Sequence, residues 1–164
     1  MARIDAATAG GTNRVALLDT IATNTIGILL LRRSDDGYDL LGHSTPSRPQ
    51  YFKKADEDYG AYPEVDDPAL PLHSMQAGRY RATAGTWAAY LTGKGARAFA
   101  PVEQDRYALE LLAASGALAL IDAGRLADAL ACAAVTWSTL GGVHEDRDVQ
   151  LRAAFARAGG QIVE

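Results

Sequence analysis

Ala77-Gly78-Arg79-Tyr80-Arg81-Ala82-Thr83-Ala84-Gly85-Thr86-Trp87-Ala88-Ala89-Tyr90 is the segment around which the rest of the chain is read. Small residues open it and an Arg-Tyr pair follows. Ala82, Trp87 and Tyr90 then recur at helical spacing, so the segment predicts a tight turn running into a helix. Pro68 and Pro71, just upstream, enforce an extended entry, because proline restricts its own φ and the residue before it. Two readings of its side chains stay open. In one, Trp87 and Tyr90 are core and the arginine is a solvated edge. In the other, an arginine and aromatics at the mouth of a helix line a groove for a sugar, whose C–H faces stack on rings and whose hydroxyls accept from guanidinium donors.

Upstream, Thr45 to Pro71 is polar and proline-rich, with Lys53, Lys54, Asp56, Glu57, Asp58, Glu64, Asp66 and Asp67 making it strongly charged. An irregular segment of this length is either a cleft lip or a solvated surface loop. Before it, Ser34-Asp35-Asp36-Gly37 is a turn signal followed by Tyr38-Asp39-Leu40-Leu41, which predicts a small β-hairpin. Ile28 to Leu31 reads equally as a buried strand or a helical turn. Asn13 is placed to cap a first helix carrying Val15, Leu17, Leu18, Ile21 and Ala22 on one face.

Downstream, Pro101 opens a helix at a favoured first position, with Tyr107, Ala108, Leu111 and Leu112 on its apolar face. Leu118 to Ile121 form a short piece ended by Gly124. Leu126, Ala129, Leu130, Ala133 and Trp137 predict one amphipathic helix stopped by Gly141-Gly142. A last helix presents Val149, Ala153, Ala156 and Phe155 before a Gly159-Gly160 cap. The architecture expected is α+β, mostly helical with a small hairpin in the first half. It forms a single domain over 1–164, with helix, hairpin and cleft-lip loop in 1–75 and a helical bundle in 76–164.

The composition excludes several classes. With 164 residues, 48% hydrophobic and 22% charged, the chain is long and apolar enough for a real core. A net charge of −4 argues against nucleic-acid binding, which needs a concentrated basic face. Cys132, the single cysteine, cannot close an internal disulfide and sits in an alanine-rich apolar helix. Met1 to Gly11 has no apolar core and predicts no secretory signal. Ile26 to Leu31 is far shorter than the ~20 residues of a spanning helix, so no stable membrane association is expected. His43, His73 and His144 stand apart without Cys or carboxylates at ligand spacing, so neither a metal nor a cofactor is expected. There is no phosphate loop and no dinucleotide fingerprint.

Gly78-Arg79-Tyr80 leading into Thr86-Trp87-Ala88-Ala89-Tyr90 resembles the phage lambda lysozyme family, small endolysins that cut bacterial peptidoglycan as lytic transglycosylases. Further matches keep the same order: Ala16 to Ala22, Asp36-Gly37-Tyr38-Asp39, Pro68-Ala69-Leu70, Phe99-Ala100-Pro101 and Gln104-Asp105. Ile121 to Gly124, Trp137-Ser138-Thr139-Leu140 and Ala158-Gly159-Gly160 complete the set, which spans nearly the whole chain.

The resemblance implies a lysozyme-like fold and a catalytic glutamate at the end of the first helix. With it, the muramic acid C6 hydroxyl attacks the anomeric carbon and gives a 1,6-anhydro product. In the family this residue falls six positions after the aspartate that matches Asp19, which here is Thr25. A threonine hydroxyl cannot protonate a leaving group at neutral pH, and losing a general acid costs on the order of 10²–10⁴ in rate. No Asp or Glu lies between Asp19 and Asp35 to restore it. Three arrangements follow. The groove is kept and cleavage is lost, or Asp35 or Asp36 folds over the groove as a substitute acid with a raised pKa, or another group acts.

Tyr38, Arg79 and Tyr80 are the candidate substrate-binding residues. Asp36 and Asp39 also suit a plain turn, Asp19 and Asp122 suit helix bracing, and Trp137 is assigned to the core. The resemblance further implies bacterial peptidoglycan as partner. It implies a monomer made in the host cytoplasm that reaches the wall once a separate protein has permeabilised the membrane.

Overall fold

In the computed structural model the described residues are 1–63, 76–141 and 145–163. Pro68-Ala69-Leu70, Pro71, His73, Gly142 and His144 lie outside them. A short helix α1 (Ala6–Ala9) leads into α2 (Thr12–Ile26), which Gly27 separates from α3 (Ile28–Arg32) by adopting φ +87°. Left-handed backbone of this kind costs glycine nothing and breaks the helix inside the apolar run. Ile28 to Leu31 is therefore helical.

The expected small antiparallel sheet is present, but beyond residue 75 and not at 34–41. Its strands are β1 (Gln76–Ala77) and β2 (Ala82–Thr83), paired Gln76 to Thr83 and Ala77 to Ala82 across the Gly78–Arg81 turn. Residues 33–39 form successive turns instead of a hairpin. Leu40 and Leu41 make isolated bridges to two different segments, at Tyr51 and Ala77.

From β2 the chain enters α4 (Ala84–Leu91) through a capping box. The Thr83 hydroxyl accepts from the Thr86 amide, and the Thr83 amide donates to the Thr86 hydroxyl. Helices α5 (Pro101–Ala114), α6 (Ala117–Asp122) and α7 (Leu126–Ala133), a 3₁₀ turn (Ser138–Leu140) and α8 (Glu145–Arg157) complete the second half. Pro101 occupies the first helical position of α5, as its sequence predicts.

Three local expectations are corrected. Asn13 lies inside α2, whose N-cap is Gly11. Its amide bonds Ile121 O and Gln161 O and accepts from Gln161 N, stitching the C-terminal segment to α2 and α6. The helix expected to reach Trp137 ends at Ala133, because the chain turns so that Trp137 Nε1 donates to Tyr80 O at 2.9 Å. On α8 the buried stripe is Leu151, Ala154 and Phe155, while Val149 is 65% exposed. Leu151 and Phe155, four apart, outweigh the alanines in apolar area.

One apolar cluster runs from Ile4 through Leu17, Leu18 and Ile21 of α2 to Leu112, Ile121, Leu130 and Phe155. Beside it stands an aromatic group. Phe99 meets Trp87 edge-on at 4.7 Å and Tyr62 at 5.0 Å, and Tyr107 packs on Trp87 and Tyr90, both at 5.6 Å. These edge contacts suit aromatic quadrupoles and fix the start of α4 against α5.

Candidate active site

The Gly78–Arg81 turn is held from behind by α5. Gly78 has φ +74°, and a Cβ there would run into the Gln104 side chain and lie 2.7 Å from Phe99 Cζ, so only glycine fits. Gln104 Oε1 accepts from Arg79 N at 2.9 Å, and its Nε2 donates to Tyr38 O and Phe99 O. Asp105, fully buried, fills its acceptor positions. Oδ1 takes the hydroxyls of Tyr38 (2.7 Å) and Tyr80 (2.6 Å), and Oδ2 takes the amides of Arg3 (2.7 Å) and Ile4 (2.8 Å). Burial, and then the Asp105 charge, push both phenols above the ordinary tyrosine range, so they remain neutral donors.

Arg79 is 1% exposed, and its Nη2 meets Asp19 Oδ1 at 2.5 Å. Its Nη1 donates to Asp36 O, and its guanidinium lies 5.2 Å from the Tyr38 ring. The opening segment is tied to the same carboxylates, Ala2 N donating to Asp19 Oδ1 at 2.7 Å.

The end of α2, the turn and the α7 exit enclose a cleft of about 240 Å³, in which Thr25 lies with Tyr80, Arg81, Thr86, Trp137 and Thr139. Gln76, Thr83, Tyr107, Thr136 and Ser138 complete the lining, which contains no carboxylate among the described residues. The Thr25 hydroxyl is buried and has no hydrogen-bond partner. Arg81 takes φ +54°, an unusual conformation for a side-chain-bearing residue, and donates to Leu41 O at 3.1 Å. Burial lowers its pKa from the ordinary arginine value without removing its charge. Trp137, assigned to the core from its spacing, is 5% exposed and also borders the cleft. Chemically the cleft offers hydroxyls, an amide, one guanidinium and two kinds of aromatic ring, which is a set suited to a neutral polyol.

Of the candidate residues, the structure brings Thr25 and Tyr80 together. Tyr38 and Arg79 are not part of the cleft lining; both are buried in the network behind the turn. Asp35 borders a separate cavity of about 1020 Å³ together with Asp39, Tyr51, Phe52 and Lys53. It is held there by Arg3 at 2.5 Å and by the Tyr59 hydroxyl at 2.8 Å. Burial raises the pKa of the Asp39 carboxyl from its ordinary value. Asp36 borders a third cavity and pairs with the Met1 amino group at 2.9 Å. Residue-by-residue reading missed Arg81, Gln76 and the hydroxyls of Thr83, Thr86 and Thr136. For Ser138 and Thr139 the matched Trp137-Ser138-Thr139-Leu140 run was the available signal. Among the described residues no group of three His, Cys, Asp or Glu could hold a metal ion.

A mostly helical α+β fold with this cleft between a short hairpin turn and the end of a buried helix defines the lysozyme-like class. The family profile described as Endolysin matches residues 15–162, and the chain belongs to that family. It is 34% identical over 112 residues to the endolysin of Escherichia phage lambda, an alignment covering 65% of this chain and 71% of that one. Among solved structures it is similar to the lysozyme from bacteriophage lambda, with TM-score 0.74 and 27% identity over 99% of this chain and 100% of the other. It is also similar to bacteriophage lambda lysozyme complexed with a chitohexasaccharide, with TM-score 0.72 and 28% identity over 99% and 100% of the two chains.

Proposed function

We propose that this phage-type protein takes a glycan strand of bacterial peptidoglycan into the Thr25 cleft, and that it holds the strand far better than it cuts it. The observation that supports this most is the lining itself, hydroxyl-rich and flanked by Tyr80, Trp137 and Arg81, with Thr25 where an acid is expected. The reaction implied for the class is lytic transglycosylation between MurNAc and GlcNAc with a 1,6-anhydro product. It requires a proton donor at the glycosidic oxygen. For Asp35 to supply that proton it would first have to leave Arg3 and Tyr59, and Asp36 would have to leave the Met1 amino group. Among the described residues no helix is long and apolar enough to cross a membrane. We place the protein as a monomer made in the host cytoplasm, meeting the wall once another protein has opened the membrane.

The test pairs binding with lysis. The native chain is expected to be retained on purified sacculi and on immobilised chitohexaose, and to clear chloroform-treated Gram-negative cells slowly or not at all. Thr25→Glu restores a carboxyl at that position, and clearing should rise by ~10²–10⁴. Clearing by the native chain at a rate that Thr25→Glu does not exceed would place the acid elsewhere. Loss of retention on both supports, in a chain that circular dichroism shows folded, would remove the glycan reading.

A further inference from the structure

Two adjoining cavities beside α3 take no part in the glycan reading. One, of about 570 Å³, has mainly apolar walls from Gly27, Ile28, Leu29, Pro46 and Ala153. The other, of about 220 Å³, contains Arg32, Arg79 and Arg157. Thr23, Ile28 and Arg157 border both, so a cationic pocket opens directly onto an apolar groove. At the rim Ile28 is 40% and Leu29 61% exposed, so two adjacent apolar side chains stand at the mouth of the groove.

The charges there do not cancel. The two carboxylates of the smaller cavity are taken, Asp19 by Arg79 at 2.5 Å and Asp36 by the Met1 amino group at 2.9 Å. Among the described residues Arg157 donates to Ala153 O, at 3.2 Å, and neither Arg157 nor Arg32 makes an ion pair. Two exposed arginines with surplus positive charge beside an apolar groove describe a receptor for an anionic amphiphile.

We infer that this face docks reversibly on an anionic phospholipid surface, with Arg32 and Arg157 receiving the phosphate and Ile28 and Leu29 entering among the acyl chains. Free phosphate would leave the exposed apolar pair unused. A second copy packed by twofold symmetry would bring the unpaired arginines of both protomers together, at a repulsive cost. Two apolar side chains and two cations make a weak contact, consistent with the absence, among the described residues, of any helix that could span a bilayer. This inference is independent of glycan binding.

Co-sedimentation of the full chain with vesicles tests it. Retention is expected on equal parts phosphatidylglycerol and phosphatidylcholine, and not on phosphatidylcholine alone. Arg32→Gln and Arg157→Gln should each weaken it about fivefold, and the two together about thirtyfold. Ile28→Ser combined with Leu29→Ser should weaken it at unchanged charge. All four positions are exposed, so these variants should fold, as circular dichroism would verify. Equal retention on the two compositions, no retention on either, or full retention of the double arginine variant overturns the inference. So does a serine variant that binds as well as the native chain while inorganic phosphate competes, which would reduce the pocket to a phosphate site. A dimer in sedimentation velocity that disappears in the serine variant would assign the face to self-association instead.

Discussion

The buried network behind the Gly78–Arg81 turn and the cleft in front of it share Tyr80, yet one is built on buried charges and the other on neutral hydroxyls. Behind the turn, Asp105 accepts from two phenols and two amides and Arg79 pairs with Asp19, nearly all of it shut off from water. In front, the lining is neutral apart from Arg81, and the Thr25 hydroxyl has no partner at all. The chain uses its buried carboxylates to hold backbone in place and keeps none, among the described residues, at the surface where a sugar would lie. The contrast explains how a glycan-shaped wall survives the loss of an acid. The wall is positioned by α5 and Asp19, and none of those bonds involves residue 25.

The sharpest way to break that contrast is Asp105→Ala. Two buried phenols and the Ile4 amide would lose their acceptor at once, the Arg3 amide keeping only the Tyr38 hydroxyl at 3.1 Å, and at ~1 kcal/mol or more for each unsatisfied group the expected loss is about 3 kcal/mol. Urea unfolding measures it, and a loss below about 1 kcal/mol would show that the network carries little of the fold. Next comes Arg79→Met, which strands the Asp19 carboxylate and should cost ~3–5 kcal/mol. Adding Asp19→Leu should recover a large part of this, since an apolar pair of similar volume is often as stable as a buried ion pair. If the double variant were no more stable than Arg79→Met alone, the two side chains would not be acting as a pair.

How much of this was legible in the sequence differs between fold and site. Helix α5 was plain because Pro101 marks its start and Tyr107, Ala108 and Leu112 keep one face. The small sheet was expected in the first half but assigned to the wrong turn. Asp35-Asp36-Gly37 does make turns, but a strand also needs a partner, and Leu40 and Leu41 find theirs at Tyr51 and Ala77, a non-local choice. The end of α7 was invisible for a similar reason. No glycine or proline marks Ala134, and the chain leaves the helix because Trp137 is drawn to Tyr80 O. Arg79 looked like a groove residue because an arginine beside aromatics reads the same whether it faces solvent or a carboxylate sixty positions away. The position of Thr25 was legible only through the family pattern, since a threonine near a helix end carries no signal of its own.

The smallest expected effect separates the two regions most cleanly. Thr25→Val keeps the shape of the side chain and removes only the hydroxyl, which in the native protein is buried and unpartnered. A buried hydroxyl without a partner gives up its hydration for nothing, so its removal should leave stability unchanged or raise it by up to about 1 kcal/mol. The same substitution should weaken retention on chitohexaose if that hydroxyl finds its partner in the sugar. Stability that falls while retention holds would move Thr25 into the structural network, with a bond to protein that the cleft geometry does not show. Stability that holds while retention falls would fix the unpartnered oxygen as the point where the protein's hydrogen bonding is completed by ligand.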